Sequence, residues 1–278
     1  MAADARESPA RRWAWYLLLS ILSVVILFPV YMALVRALST PTTYILSGNP
    51  PYPLDVQWDV WARAFTAGGL GTRMVNSVIV TAVIVTAQLV TSILAAYAFA
   101  FLHFPGRRLL FFVYMATLLL PIEVTLIPNV ATIQGWGLMN SIPALTVPFL
   151  ATAFGTFLIR QGFLGVPRDL RDAAALDGFG HLAFLRRVAV PVTRPVIASF
   201  AVIAFLNAWN QYTWPRAVVT EAGYETVQIG LRSLTAGSPE NSNFAFAGAL
   251  IAALPILVLL IAFQRHLIRG LTAGAVKG

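Results

Sequence analysis

At 278 residues, 58% of them hydrophobic and only 11% charged, the chain departs from soluble proteins, in which about a quarter of residues carry charge. That balance makes the bilayer its solvent, and the absence of Cys excludes disulfides and thiolate metal sites. A net charge of +8 would suit nucleic acid, but its distribution along the chain points instead to membrane topology.

Residues 1–12 are short and polar and end in Arg11 and Arg12. A charge-free run from Trp13 to Val35 follows, long enough to cross about 30 Å of hydrocarbon. Trp13, Trp15 and Tyr16 fit an interfacial aromatic belt. No small-residue cleavage site follows, so the run is expected to remain as an anchor, with the first span at 13–36. Residues 37–72 are polar and rich in Pro and Gly, and read as an outside loop with a short helix around Val56–Phe65. The second span is predicted at 75–102, where Ala, Ser, Thr and Gln suit helix–helix packing. Phe104 to Arg108 turns the chain back. The apolar stretch from Leu109 to Ile159 is too long for one helix. Gly135, Gly137 and Asn140 split it into a hairpin with spans at 109–133 and 142–162. Pro121 and Pro128 predict a kinked or locally opened helix in the first of these. A polar loop, 163–194, leads to a fifth span at 195–219 and, after an outer segment containing Glu240, to a sixth at 243–264.

Six spans put both termini on one side. Fourteen of the nineteen Lys and Arg residues lie there: Arg6, Arg11, Arg12, Arg107, Arg108, Arg160, Arg168, Arg171, Arg186, Arg187, Arg194, Arg265, Arg269 and Lys277. By the positive-inside rule that side, including the 163–194 loop, is expected to be cytoplasmic. His103, His181 and His266 show no ligand spacing and read as interfacial or solvated.

The loop carries the punctuation of two short helices meeting at a turn. Pro167 suits a helix start, and Asp169 and Asp172 lie near its positive end. Ala173, Ala174 and Ala175 are strong helix formers. Gly178 and Gly180 permit a reversal, and Pro191 is expected to end the second segment. Asp172-Ala173-Ala174, Asp177-Gly178 and Val190-Pro191 together resemble the EAA loop of ABC-importer membrane subunits, with Asp172 in place of Glu. The resemblance implies an all-α polytopic protein with six transmembrane helices. It implies the type I ABC importer permease fold, with the whole chain, 1–278, as one transmembrane domain. Asp172, Ala173, Ala174, Asp177, Gly178 and Pro191 would then form a coupling loop seated on a cytosolic ATPase.

Two further stretches extend the likeness. Phe263 to Gly278 resembles the tail of the second permease of carbohydrate-type importers, and Trp209 to Pro215 resembles the W-N-x-x-x-W-P element of their fifth span. Leu120 to Asn129 and Thr156 to Phe163 look most like the second permease of the glycerol-3-phosphate importer. The resemblance implies an often basic residue at the position of Thr125. Threonine there leaves room for a neutral sugar or polyol, or a glycerophosphodiester, beside glycerol-3-phosphate. The implied partners are a homologous permease, an ABC ATPase dimer, an extracytoplasmic solute-binding protein and membrane lipid, with no nucleic acid. The implied location is a bacterial or archaeal cytoplasmic membrane. No G-x-x-x-x-G-K-[ST] loop occurs in the sequence, so no cofactor is expected in this chain, and ATP and Mg are expected on the ATPase.

Candidate pathway residues are Glu123, Asn207, Trp209, Asn210, Gln211 and Tyr212. Glu123 is the one acid placed inside a span, where an ionisable group is costly. Its competing role is a Glu capped by neighbouring Thr or backbone groups. The other five offer amides and rings for a hydroxylated solute, or equally an aromatic belt with helix–helix hydrogen bonds. A self-sufficient secondary transporter would show symmetry-related repeats and coupling-ion residues at the midplane. An intramembrane enzyme would show paired acids, Ser–His or metal-ligating His. One candidate acid and no convincing repeat leave the importer subunit, a non-catalytic permease, as the leading reading.

Overall fold

A computed structural model describes residues 9–66, 69–235 and 242–272. Arg6, Glu240 and the tail 273–278 with Lys277 lie outside the described residues. Among the described residues the regular structure is entirely helical. The chain falls into two compact units, Met1–Leu70 with Leu231–Ile251 and Gly71–Gly230 with Ala252–Gly278.

In the first unit, α1 (Pro9–Leu38) presents exposed side chains from Arg11 to Tyr31. An apolar helix with so little of its own chain around it is suited to lipid or to another subunit. Pro41 then starts α2 (Pro41–Leu46) at a position where its missing N–H costs nothing. The expected helix near Val56–Phe65 is α3 (Val60–Thr66), and α2 is an addition to that expectation. Hydrogen bonds tie the loop between them. Ser39 Oγ accepts from Leu54 N at 3.2 Å, Gln57 Nε2 donates to Thr40 Oγ1 at 2.9 Å, and Tyr44 OH donates to Pro50 O at 2.8 Å.

The second unit holds the spans that position the loop 163–194. It contains nearly all of α4 (Leu70–Phe101), then α5 (Arg107–Ala116), α6 (Ile122–Gly135), α7 (Ile142–Thr146) and α8 (Ala153–Leu164). These are followed by α9 (Arg168–Leu176), α10 (His181–Phe184), α11 (Val190–Val192), α12 (Arg194–Trp209) and α13 (Thr213–Val218). Helices α14 (Val227–Thr235) and α15 (Ser242–Thr272) complete the described chain.

Three stretches are single helices long and apolar enough to cross a membrane: Arg11–Leu38, Leu70–Phe101 and Ser242–Gln264. Three more are bent pairs, giving six spans when each pair counts as one. The expected third span breaks by 99° between Leu119 and Glu123. Leu120 is extended, as the residue before Pro121 must be. The expected fourth span bends by 47° between Ile142–Phe149 and Ala153–Leu164. Gln88 Nε2 and Thr91 Oγ1 of α4 donate to the carbonyls of Phe149 and Leu150 freed at that bend, at 2.9 and 3.0 Å.

Two expectations need correction. The fifth span does not run unbroken from 195 to 219: α12 ends at Trp209, and Asn210 to Tyr212 are unwound. Restarting at Thr213 puts Pro215 in the first turn of α13, where its lack of an N–H leaves no gap in the ladder. Nor does Pro191 end the second segment of the loop. The preceding residues, Leu185–Ala189, form a π turn in which Val190 N–H reaches back five residues to Leu185 O. That wider winding admits Pro191 inside a helix continuing to Val192, and the 80° bend falls instead at Thr193.

Candidate functional site

The loop is built from its ends inward. Gly165 N–H and Val166 N–H bond back to Gly162 O and Phe163 O, closing α8, and Pro167 then stands at the N-cap of α9. Asp169 lies in the first turn, favourably placed against the helix dipole. At the other end Gly178 N–H donates to Ala175 O at 3.1 Å and Phe179 N–H to Ala174 O at 2.9 Å. Gly178 has φ +74°. This is a Schellman cap, whose left-handed position favours glycine, and Phe179 after it packs against the cluster that holds Ala174. A Cβ added at Gly178 would meet nothing within 4 Å, so a larger residue there is penalised by backbone conformation alone.

The helix has two faces. Ala174 is buried in a cluster formed by Tyr97 and Phe101 of α4, Phe163 of α8, and Phe184 and Leu185 beyond the turn. Ring centroids in that cluster lie 5.1 Å apart for Tyr97–Phe101, 5.8 Å for Phe101–Phe163 and 5.3 Å for Phe101–Phe184. Arg171 lies over the Phe101 ring at 6.0 Å, within cation–π range. A cavity of ≈ 210 Å³ lies between these groups, lined by Tyr97, Arg171, Ala174 and His181 among others. The opposite stripe, Asp169, Asp172, Ala173 and Leu176, has helical spacing and is exposed throughout, with Leu176 90% exposed. Asp172-Ala173-Ala174 is thus split, two residues outward and one inward. Asp177 is exposed at the C-cap, and Pro191 is half-buried beyond the π turn.

His181 is exposed, in keeping with the expectation, and its Nδ1 lies 3.0 Å from the Tyr97 hydroxyl. The sequence reading missed Tyr97, Phe101, Phe163 and Phe184 as supports of the loop. A usable signal was present in the aromatic pair Tyr97 and Phe101, one helical turn apart at the end of an Ala-rich helix.

The candidate pathway residues are only partly brought together. Asn210, Gln211 and Tyr212 are consecutive in the unwound segment, and Asn207 lies just before them on α12. Asn210 Nδ2 donates to Leu206 O at 2.8 Å, and its Oδ1 accepts from Gln228 Nε2 at 3.3 Å. Gln211 Oε1 is buried with no hydrogen-bond partner among the described residues. Trp209 is packed within the chain. It is 2% exposed, stacks on Phe205 at 5.6 Å and donates its indole N–H to Ala252 O at 3.1 Å. Glu123 is exposed in the first turn of α6, after the break. Among the described residues no hydrogen bond joins it to Asn207, Asn210, Gln211 or Tyr212.

Trp214 is a packing residue as well, 3% exposed, edge-on to Phe149 and donating Nε1–H to Ala144 O at 3.0 Å. Trp214→Phe keeps a ring and strands that carbonyl. It is expected to cost about 1–2 kcal/mol, measured as a lower thermal unfolding midpoint of the purified protein.

Residues 88–273 match the family described as binding-protein-dependent transport system inner membrane component. The chain is 33% identical over 264 residues to the sn-glycerol-3-phosphate transport system permease protein UgpE of Yersinia pestis bv. Antiqua (strain Antiqua), covering 92% of this chain and 94% of that one. It is 30% identical over 274 residues to UgpE of Brucella abortus (strain 2308), covering 95% and 97%. Among solved structures it resembles a chain of a bacterial ABC transporter involved in the import of the acidic polysaccharide alginate. The TM-score is 0.81 at 20% identity, over 95% of this chain and 99% of that one. A second likeness, TM-score 0.64 at 13% identity, covers 93% and 96% and is to a bacterial alginate ABC transporter in complex with alginate pentasaccharide-bound periplasmic protein.

Proposed function

The chain belongs to the family of binding-protein-dependent transport system inner membrane components, and on that premise we propose how it works within an ATP-driven importer. It is a multi-pass permease with the fold of an ABC importer membrane subunit, and the match favours this reading over a self-sufficient secondary transporter. In our reading a homologous permease completes the translocation pathway and an extracytoplasmic binding protein delivers the solute. ATP and Mg reside on a cytosolic ATPase pair, leaving this chain without catalysis of its own. The concentration of Arg and Lys on the side of the 163–194 loop supports a cytoplasmic position for that loop and for both termini.

One observation carries the coupling role. Helix α9 buries Ala174 against rings of α4 and α8, while its other face offers Leu176 almost wholly exposed beside Asp169, Asp172 and Ala173. A leucine so placed on a polar helix suits the apolar floor of a partner's groove. The names of the UgpE relatives support sn-glycerol-3-phosphate or a related polyol phosphate as the solute. Asn207, Asn210, Gln211, Tyr212 and Glu123 remain the candidate pathway residues.

The test is co-purification. Leu176→Asp is expected to lower the ATPase retained by the tagged importer about tenfold, with this chain's membrane abundance unchanged because no buried contact is lost. That ratio corresponds to one well-buried leucine at an interface. Undiminished retention would refute the assignment of this face.

A further inference from the structure

The aromatic cluster under α9 holds the loop by contacts that are individually weak and without preferred direction. Such a surface resists separation far more than it resists sliding. One contact across it has direction: the hydrogen bond of 3.0 Å between Tyr97 OH and His181 Nδ1. Tyr97 lies one turn from the end of α4, 6% exposed, with its ring edge-on to Phe163 at 6.4 Å and to His181 at 6.1 Å. A phenol fixed on its flanks by rings keeps its hydroxyl in one place. With His181 protonated on Nε2 its Nδ1 accepts a hydrogen bond from the hydroxyl, and with it protonated on Nδ1 it donates one to the hydroxyl oxygen.

The two ends of this bond belong to larger bodies. His181 opens α10, whose first bond runs from Phe184 N–H to Gly180 O at 3.0 Å, two residues after Gly178 closes α9 in the Schellman cap. Tyr97 belongs to α4, whose Gln88 and Thr91 hold the carbonyls at the bend between α7 and α8. A displacement entering at α9 therefore has a continuous path of directed bonds into the second span and onward to a bend.

We propose that Tyr97 and His181 are positioning residues for energy coupling. Their hydrogen bond fixes the register of the α9–α10 body on α4, so that a push on the loop moves the second span and is not lost as slippage over the rings. The inference rests on the importer reading above. It adds one residue from the stretch between Gly178 and Val190 and another 84 positions earlier on α4.

The test uses the complete importer in proteoliposomes, measuring solute accumulated per ATP hydrolysed with glycerol-3-phosphate as probe. Tyr97→Phe, which keeps the ring, and His181→Leu are each expected to lower that ratio about fivefold, the weight of one neutral hydrogen bond. The ATPase should still co-purify with both. The double variant should be no worse than either single one, because both remove the same bond. His181→Asn, which returns an acceptor near the position of Nδ1, should restore most of the ratio. A merely structural bond would reduce abundance, uptake and hydrolysis together and leave the ratio unchanged, and that result overturns the proposal. Additive losses, or no recovery with Asn, overturn it too. Failure of the wild-type chain to retain any ATPase would instead sink the importer reading itself.

Discussion

A Gly155→Ala variant is expected to be among the most destabilised single-methyl changes in the chain, by about 3 kcal/mol, the upper end for overpacking a tight core. Three helices meet at this glycine. A Cβ built on it would overlap the Phe200 ring of α12 and the Ser92 hydroxyl of α4, and neither neighbour has room to withdraw. Phe200 is 1% exposed and Ser92 is wholly buried. Two turns on, a Cβ added at Gly162 would lie 3.4 Å from Thr193 and Val196, an ordinary contact, so the tight approach is local to Gly155. Small residues let helix backbones approach where a bilayer supplies no hydrophobic drive to hold them together. The measurement is the thermal unfolding midpoint in detergent together with membrane abundance. Phe200→Leu in the Gly155→Ala background should recover part of the loss. A variant as stable as wild type would mean that α8 and α12 are farther apart than described.

The second large effect is expected at Glu225. Its Oε2 lies 2.7 Å from Arg73 Nε and 2.6 Å from Arg73 Nη2, with the two side chains 15% and 17% exposed. Nearby, Asn76 Nδ2 donates to Gly223 O and Glu225 O, and Val227 N–H donates to Ser77 Oγ. Together these bonds staple the segment before α14 onto the start of α4. Glu225→Ala removes this carboxylate from beside a mostly buried guanidinium. The expected loss is about 2–3 kcal/mol, set below the range for fully buried pairs because some solvent reaches this one. Arg73→Met together with Glu225→Ala should cost less than the sum of the two single changes, since both remove the same ion pair. Chemical denaturation of the four members of that cycle gives the coupling energy directly.

What the sequence made legible follows from what is encoded locally. Long runs without charge mark α1, α4 and α15, because a bilayer demands about twenty apolar residues in succession. The turn at Gly178 was readable because a glycine after an Ala-rich helix has few other uses, and its φ of +74° fits that reading. The breaks were less legible. Pro121 announced one, whereas Asn210 to Tyr212 carry no breaker, and the restart at Thr213 is explained only by Pro215 two residues later. Pro191 misled, because a π turn before it removes the clash that ordinarily ends a helix. Trp209 illustrates the deeper limit. An amphipathic ring reads equally well as a solute contact or as a core residue. Only its hydrogen bond to Ala252 O, 43 positions away, decides between them.

The π turn at Leu185–Ala189 stores one residue more than an α-helix of the same length would hold. Each residue of an α-helix swings the chain by about 100°, so trimming a single position there would rewind the segment and point everything upstream at a new compass bearing. The direction of the short helices before it is therefore set by one surplus unit of backbone.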